Sequence, residues 1–290
     1  MAEALAAGRL FVVSTPIGNL GDITRRAVEV LASAHAVAAE DTRRTRALLS
    51  HLGIGSKPVL ALHAHSRDTA VASVVERLLA GDDVALVTDA GTPAVSDPGR
   101  ALVTLARARG AAVLVIPGPS AVTAAVALSG LVEGPFTFLG FWPRQASERR
   151  EQVERVAKSR EAVVFFESPQ RLAETLVELA AALPEREAFI GRELTKLHEE
   201  GVAGALRDLA HPERSWRGEI VAVIAPNPVE PGADAERREL ILASLRAAIE
   251  AGARPSRIAR GLAEASGLPR RELYEHALAV QKELGLSEEE

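Results

Sequence analysis

Over about its first 120 residues the chain alternates between short apolar runs and segments whose apolar side chains recur at helical spacing. Arg9–Thr15, Ala36–Ala39, Val59–Leu62, Val84–Thr88 and Ala112–Ile116 read as strands. Between them Asp22–Ala34, Thr42–Leu52, Thr69–Leu79 and Pro98–Arg109 read as helices, the first with Ile23, Ala27, Val30 and Leu31 along one face. Strands separated by helices of this length pair in parallel through helical crossovers, which predicts an α/β fold with a mostly parallel N-terminal sheet.

A second style follows. An alanine-rich helix runs from Ser120 to about Ser129, and residues 130–135 read as a connection. Phe136–Phe141, Ala162–Phe166, Glu187–Gly191 and Glu219–Ile224 are expected strands, with helices at Ser147–Lys158 and Gln170–Ala182. Several of these strands are joined by short loops, which predicts a mixed sheet. The stretch N-P-V-E-P-G at 227–232 is a hinge, and three helices follow, Ala235–Ala251, Arg254–Ala265 and Arg270–Leu284. The expected organisation is an N-terminal α/β domain over 8–134, a C-terminal α/β domain over 135–228 that completes a cleft, and a small helical tail over 229–290.

Composition narrows the chemistry. The chain contains no cysteine, which excludes disulfides, thiolate metal centres and cysteine nucleophiles. No apolar run approaches the roughly 18 uncharged residues of a membrane span, and Met1–Leu10 does not read as a signal peptide, so the cytoplasm is the expected compartment. A net charge of −5 argues against a polyanion-binding surface over the whole molecule but permits a local basic patch.

Ligands of open parallel sheets sit beyond the carboxyl ends of the strands, and three loops there are unusual. They are S-T-P-I-G-N-L-G-D from Ser14, T-D-A-G-T-P-A-V-S-D-P-G from Thr88, and P-G-P-S-A from Pro117. Glycine lets backbone approach a ligand and proline fixes the turn in advance, so three such loops suit a preformed pocket. The dinucleotide G-x-G-x-x-G, the phosphate loop G-x-x-x-x-G-K-[ST] and the nucleophile elbow G-x-S-x-G are all missing from these loops.

Together with A-E-D-T-R at Ala39–Arg43, L-H-x-H-S-R-D at Leu62–Asp68, F-F-E-S-P-Q-R at Phe165–Arg171, G-R-E-L-T-K at Gly191–Lys196 and R-G-E-I-V at Arg217–Val221, these loops resemble the tetrapyrrole-methylase superfamily. Within it they resemble the branch that methylates the 2′-oxygen of a decoding-region cytidine in 16S ribosomal RNA. The resemblance implies two α/β domains, S-adenosylmethionine bound between them, a small-subunit ribosomal RNA or subunit as partner, and a homodimer. It implies cofactor contacts from Pro16 and Ile17, from Asp89, Gly91, Thr92, Pro93, Val95 and Ser96, from Ser120 and Ala121, and from Phe166, Leu194 and Gly218. Corrin and porphyrin enzymes of the superfamily carry G-D-P where this chain reads Gly91-Thr92-Pro93, a departure that favours RNA over a tetrapyrrole substrate.

Methyl transfer to a ribose hydroxyl needs alignment and a group that accepts the proton or steadies the developing alkoxide. Glu40, His63, Asp89 and Lys196 are the expected catalytic candidates, with Asp41, His65 and Glu167 beside them. His63 and His65 are open to a hydrogen-bonding, RNA-contacting or plain loop role, and no metal site is expected. Asp41 reads equally as the cap of a helix. Arg43 and Arg44, and in the tail Arg254, Arg257, Arg260, Arg270 and Arg271, are candidate RNA contacts; a solvated helix face and a capping or dimer-stabilising tail are the plain alternatives. The competing functions are a methylase of a tetrapyrrole intermediate and a non-catalytic RNA-binding or ribosome-assembly protein.

Overall fold

A computed structural model describes residues 7–62, 68–227, 233–266 and 268–285, with side chains from 238 onward in the stretch that begins at 233. His63 and His65 lie outside the described residues. The chain divides into two compact units, Met1–Asn227 and Pro228–Glu290.

The first unit holds two five-stranded sheets. In the first, β1 (Arg9–Val13), β2 (Ala36–Ala39), β3 (Val59–Ala61), β4 (Val84–Val87) and β5 (Ala112–Ile116) are all parallel, in the order β3-β2-β4-β1-β5. Its helices are α1 (Arg25–Ser33), α2 (Thr42–His51), α3 (Asp68–Leu79) and α4 (Arg100–Ala108). Alternate strand residues feed opposite layers. Leu10, Ala36, Ala38, Val84 and Leu86 pack on Val75 and Leu78 of α3 and Leu102 of α4. Phe11, Val13, Val37, Ala39, Ala85 and Val87 pack on Ala27 and Leu31 of α1 and Leu49 of α2. Burial on both faces explains why these strands read as continuous apolar runs rather than as alternating ones.

The second sheet comprises β6 (Phe136–Phe141), β7 (Ala162–Glu167), β8 (Glu187–Arg192), β9 (Glu200–Ala205) and β10 (Ile220–Ile224), in the order β6-β7-β10-β8-β9. β6 and β7 are parallel and the other pairings antiparallel, as expected of a mixed sheet. One face packs on α6 (Ala146–Lys158), α7 (Pro169–Ala182) and α8 (Leu206–Leu209) through Val156, Leu172, Leu176, Leu179 and Leu206. The other face presents Val164, Phe189, Val221 and Val223 to Val122 and Ala125 of α5 (Ala121–Ser129), and to Ile17 and Leu194.

β9 and α8 are the two elements absent from the sequence reading. β9 (E-G-V-A-G-A) carries two glycines and a single large apolar residue, and it sits at the edge of the sheet. Gly201 is required there, because a Cβ would stand 2.9 Å from the Phe189 ring on the paired strand.

The second unit packs α9 (Ala233–Glu250), α10 (Pro255–Ser266) and α11 (Arg270–Glu283) around Leu245, Ile249, Ala259, Leu273, Ala277 and Val280. Arg238 pairs with Glu272 at 2.5 Å and Arg246 with Glu283 at 2.9 Å, tying α9 to α11 at its surface. Among the described residues no helix is long and apolar enough to cross a membrane.

Candidate active site

The carboxyl ends of β1, β4 and β5 bring the three glycine- and proline-rich loops together. Thr15 and Gly91 exchange backbone hydrogen bonds of 2.9 and 3.1 Å, an antiparallel bridge between loops that follow parallel strands. Thr15 Oγ1 donates to the Thr88 carbonyl at 3.1 Å, and Ser14 Oγ lies 2.8 Å from Thr92 Oγ1. Gly118, in the third loop, sits so close that a Cβ there would be 3.0 Å from that of Ser14. The first loop also reaches the second sheet: Asn19 N–H donates to Thr195 Oγ1 at 3.1 Å.

Backbone strain gathers in the same place. Among the described residues, the non-glycine positions with positive φ are Ala94, Ser96, Glu193 and Thr195. Two lie in the loop after β4 and two in the loop after β8. Left-handed backbone costs free energy for residues with a Cβ, so its recurrence on two sides of one hollow marks a conformation that the surrounding contacts enforce.

That hollow has a volume of about 420 Å³. Ile17, Val122, Phe141, Phe166, Leu194 and Val221 give it apolar walls, and the rings of Phe138 and Phe141 meet Phe166 edge-on at 5.0 and 5.4 Å. Its polar lining is acidic: Glu40, Asp89, Asp97, Glu167 and Glu219, with Arg44 the one cation among the described lining residues. A smaller hollow of about 250 Å³ is lined by Pro16, Leu20, Thr45, Ala47, Leu48 and Thr88, and shares Arg44 and Asp89 with the first.

Each carboxylate has different company. Asp89 Oδ1 accepts the Asp41 N–H at 3.0 Å, and its other oxygen faces Arg44 Nη1 at 3.4 Å. Glu40 Oε2 accepts from Thr88 Oγ1 at 2.9 Å. Glu167 is buried; it accepts from Ser168 N–H at 2.6 Å, from Thr175 Oγ1 at 2.9 Å and from Arg171, whose guanidinium also donates to the Trp142 and Pro143 carbonyls. Among the described residues no basic side chain pairs with Asp97; burial and the charge of Glu40 push its carboxyl up to about 6, against the hydrogen bond from Thr88.

Of the nominated residues, Ile17, Asp89, Gly91, Thr92, Val95, Ser96, Ser120, Ala121, Phe166, Leu194, Gly218 and Glu40 all line the larger hollow. Pro16 lines the smaller one, and Pro93 is buried within its own loop. Lys196 lines neither. Burial opposes its charge, but hydrogen bonds to Glu193 (2.7 Å) and Glu219 (3.1 Å) outweigh that and hold its ammonium above the ordinary lysine value. A lysine so held does not take up a proton at neutral pH, and its position under Gly18, where a Cβ would meet its Cγ at 2.3 Å, is that of a strut between loops.

Asp41 caps α2, accepting the Arg43 and Arg44 N–H groups at 2.7 and 3.4 Å, and the first of these holds its carboxyl below the usual range. Arg43 is solvent-exposed and lies outside both hollows, whereas Arg44 lines each of them. Arg254, Arg257, Arg260, Arg270 and Arg271 are all exposed on the second unit, Arg271 pairing with Glu275 at 2.9 Å. Sequence reasoning missed Asp97, Phe141 and Glu219. Asp97 follows the nominated Ser96 directly, so its loop was legible even though its role was not.

A sheet of five parallel strands and a mixed sheet within one compact unit, with loops from both around one hollow, define an α/β architecture with a single ligand-sized site. Residues 9–210 match the model of the tetrapyrrole (corrin/porphyrin) methylases, and the chain belongs to that family. It is 42% identical over 272 residues to a Xylella fastidiosa protein named ribosomal RNA small subunit methyltransferase I, covering 92% of this chain and 98% of that one. The protein of the same name from Bacillus subtilis is 37% identical, covering 92% and 93%. Among solved structures, the methyltransferase CobJ superposes with a TM-score of 0.59 at 20% identity, over 78% of this chain and 98% of that one. Uroporphyrin-III C-methyl transferase from Thermus thermophilus, complexed with S-adenyl homocysteine, does so with 0.54 at 18%, over 75% and 97%. These structures share the fold.

Proposed function

We propose that this chain is an S-adenosylmethionine-dependent methyltransferase of small-subunit ribosomal RNA, and that its acceptor is the 2′-hydroxyl of a cytidine in the decoding region. The observation that carries this reading is the single hollow built from Ile17, Gly91, Thr92 and Ser120 in a chain whose full-length relatives bear the name of a ribosomal RNA methyltransferase.

The hollow fits the cofactor in size and chemistry. About 420 Å³ falls within the range of small-molecule sites. Flat apolar walls at Phe166, Leu194 and Val221 suit a nucleobase, while the acidic lining suits a ligand that carries a sulfonium and an ammonium. Ile17, Gly91, Thr92, Ser120 and Ala121 would hold it, largely through backbone presented by tight turns. When bound, S-adenosylmethionine supplies an activated methyl group whose carbon–sulfur bond breaks toward sulfur as a carbon–oxygen bond forms. The preformed loops then orient donor and acceptor for an in-line displacement, and alignment of this kind accounts for much of a transfer rate.

The acceptor enters from the smaller hollow, which adjoins the larger one through Arg44 and Asp89. The exposed arginines of the second unit supply phosphate contacts that hold RNA without reading its sequence. We assign domains 8–134, 135–228 and 229–290 to cofactor loops, cleft completion and RNA contact. A second copy covers β5, an edge strand that exposes Leu114 and Val115, and the protein works in the cytoplasm. Tritium transfer from labelled S-adenosylmethionine to undermethylated small subunits is the test; incorporation no higher than a heat-killed control overturns the reading.

A further inference from the structure

We propose that the smaller hollow is a slot for the unstacked base of the acceptor nucleotide, with Leu20 as the surface on which that base lies; this rests on the methyltransferase reading above. The shape of the hollow carries the inference. Thr15 and Thr88, 1% and 3% exposed, are part of its lining, so it is a recess rather than a shallow track along the surface. Its volume of about 250 Å³ lies just below the range of sites that take a whole ligand, and the residues it shares with the larger hollow are Arg44 and Asp89. A hydroxyl that reaches those two residues brings its own nucleotide into the recess, which a nucleotide still paired and stacked in a helix does not do.

The walls suit a base. On α2, Arg44, Ala47 and Leu48 stand at i, i+3 and i+4 and share one face, while Leu49 turns to the core. Pro16 and Leu20 come from the loop after β1. The hydroxyls beneath are spent within the protein, that of Thr15 on the Thr88 carbonyl at 3.1 Å and that of Thr88 on Glu40 at 2.9 Å. What remains is apolar surface, which takes a base by its flat face.

Leu20 is placed in advance. Asn19 Oδ1 accepts the Gly21 N–H at 3.0 Å and Asn19 N–H donates to Thr195 Oγ1 at 3.1 Å, so the turn that carries Leu20 is fastened to itself and to the loop after β8. The Leu20 side chain still stands 42% exposed, and a base laid on it removes that surface from water.

Charge identifies the occupant. α2 carries Arg43, Arg44, Arg46 and His51 and no acid, in a chain whose net charge is −5. Three arginines beside an apolar recess fit a ligand that is anionic along one side and flat on the other, as an extruded nucleotide of RNA is. An apolar segment of a protein partner brings no charge to match this helix.

The experiment compares wild type, Leu20→Ala, Leu20→Phe and Ala47→Trp in single-turnover methylation at saturating undermethylated small subunits, with calorimetric titration of S-adenosylhomocysteine and melting temperatures alongside. Both positions are exposed, so the variants are expected to fold. Leu20→Ala is expected to slow transfer about tenfold or more and Leu20→Phe to restore most of the rate. Ala47→Trp, which fills the slot, is expected to slow it about 100-fold, and all three to keep ligand affinity within about twofold of wild type. In parallel, protein saturated with S-adenosylhomocysteine is given millimolar cytidine 5′-monophosphate, and nuclear Overhauser contacts are expected between the base protons and the methyl groups of Leu20, Ala47 and Leu48. Leu20→Ala and Ala47→Trp rates within about threefold of wild type, ligand affinity lost in proportion to rate, or base protons that do not meet those methyl groups overturn the assignment and leave the methyltransferase reading intact. A wild-type protein that transfers no methyl group overturns both.

Discussion

Ser14 Oγ and Thr92 Oγ1, 78 positions apart in sequence, meet at 2.8 Å and join the loop after β1 to the loop after β4. Ser14 is 1% exposed, so no solvent replaces this partner if it is lost. Thr92→Val keeps the shape and removes the hydroxyl, and is expected to cost about 1–3 kcal/mol in urea denaturation while weakening S-adenosylhomocysteine binding.

Gly91 sits at φ 82° and has room for a Cβ, whose nearest neighbour would be Ile17 Cγ2 at 3.5 Å. The penalty of Gly91→Ala is therefore conformational, about 1 kcal/mol. Because Gly91 shares the bridge with Thr15, calorimetry should show a larger fractional loss of ligand affinity than the small drop in melting temperature implies.

Glu167 is 2% exposed and surrounded by donors. Glu167→Ala leaves the Arg171 guanidinium without its counter-charge, and a loss of about 3 kcal/mol is expected from thermal or chemical unfolding. Glu167→Gln, which preserves the Thr175 bond, is expected to retain part of that.

Asp97 gives the folded state a pH dependence of defined sign. Its carboxyl binds a proton more tightly when folded than when unfolded, so its unfavourable contribution is absent below about pH 4 and complete above about pH 6. Asp97→Asn is expected to stabilise the protein at pH 8 by on the order of 1 kcal/mol, read as a higher melting temperature, with the gain shrinking as pH falls through that window.

Removing 235–290 deletes most of a unit with its own core of Leu245, Ile249, Leu273 and Ala277. Calorimetry is expected to find S-adenosylhomocysteine affinity unchanged, and a subunit-binding assay a clear loss with a shallower salt dependence. Equal losses of both would make the helical unit a folding element.

The sequence made β2 and β4 plain because burial on both faces leaves nothing but apolar residues in them, and Ala36–Ala39 coincides with β2; Ala112–Ile116 coincides with β5, which is as apolar although it lies at the sheet edge. Helix starts were blurred where a cap or turn intervenes. Asn19 caps a short turn at Leu20–Asp22, so α1 begins at Arg25 rather than at Asp22. β9 stayed hidden because close packing on Phe189 demands glycine, the residue that weakens any strand signal. Glycine and proline announced the three loops around the hollow, but loop composition says nothing about how the acidic side chains that line it are partnered. The pairing of Arg44 with Asp89 and of Lys196 with Glu193 and Glu219 is set by tertiary packing.

The bridge between Thr15 and Gly91 joins two loops through a pair of main-chain hydrogen bonds. Neither loop moves without the other, so the floor of the hollow takes its final shape during folding and not at the moment of encounter. A ligand arriving there faces little further ordering cost, and capture is expected to follow a single kinetic phase. Differences in affinity between related ligands should then reside in how slowly each one escapes.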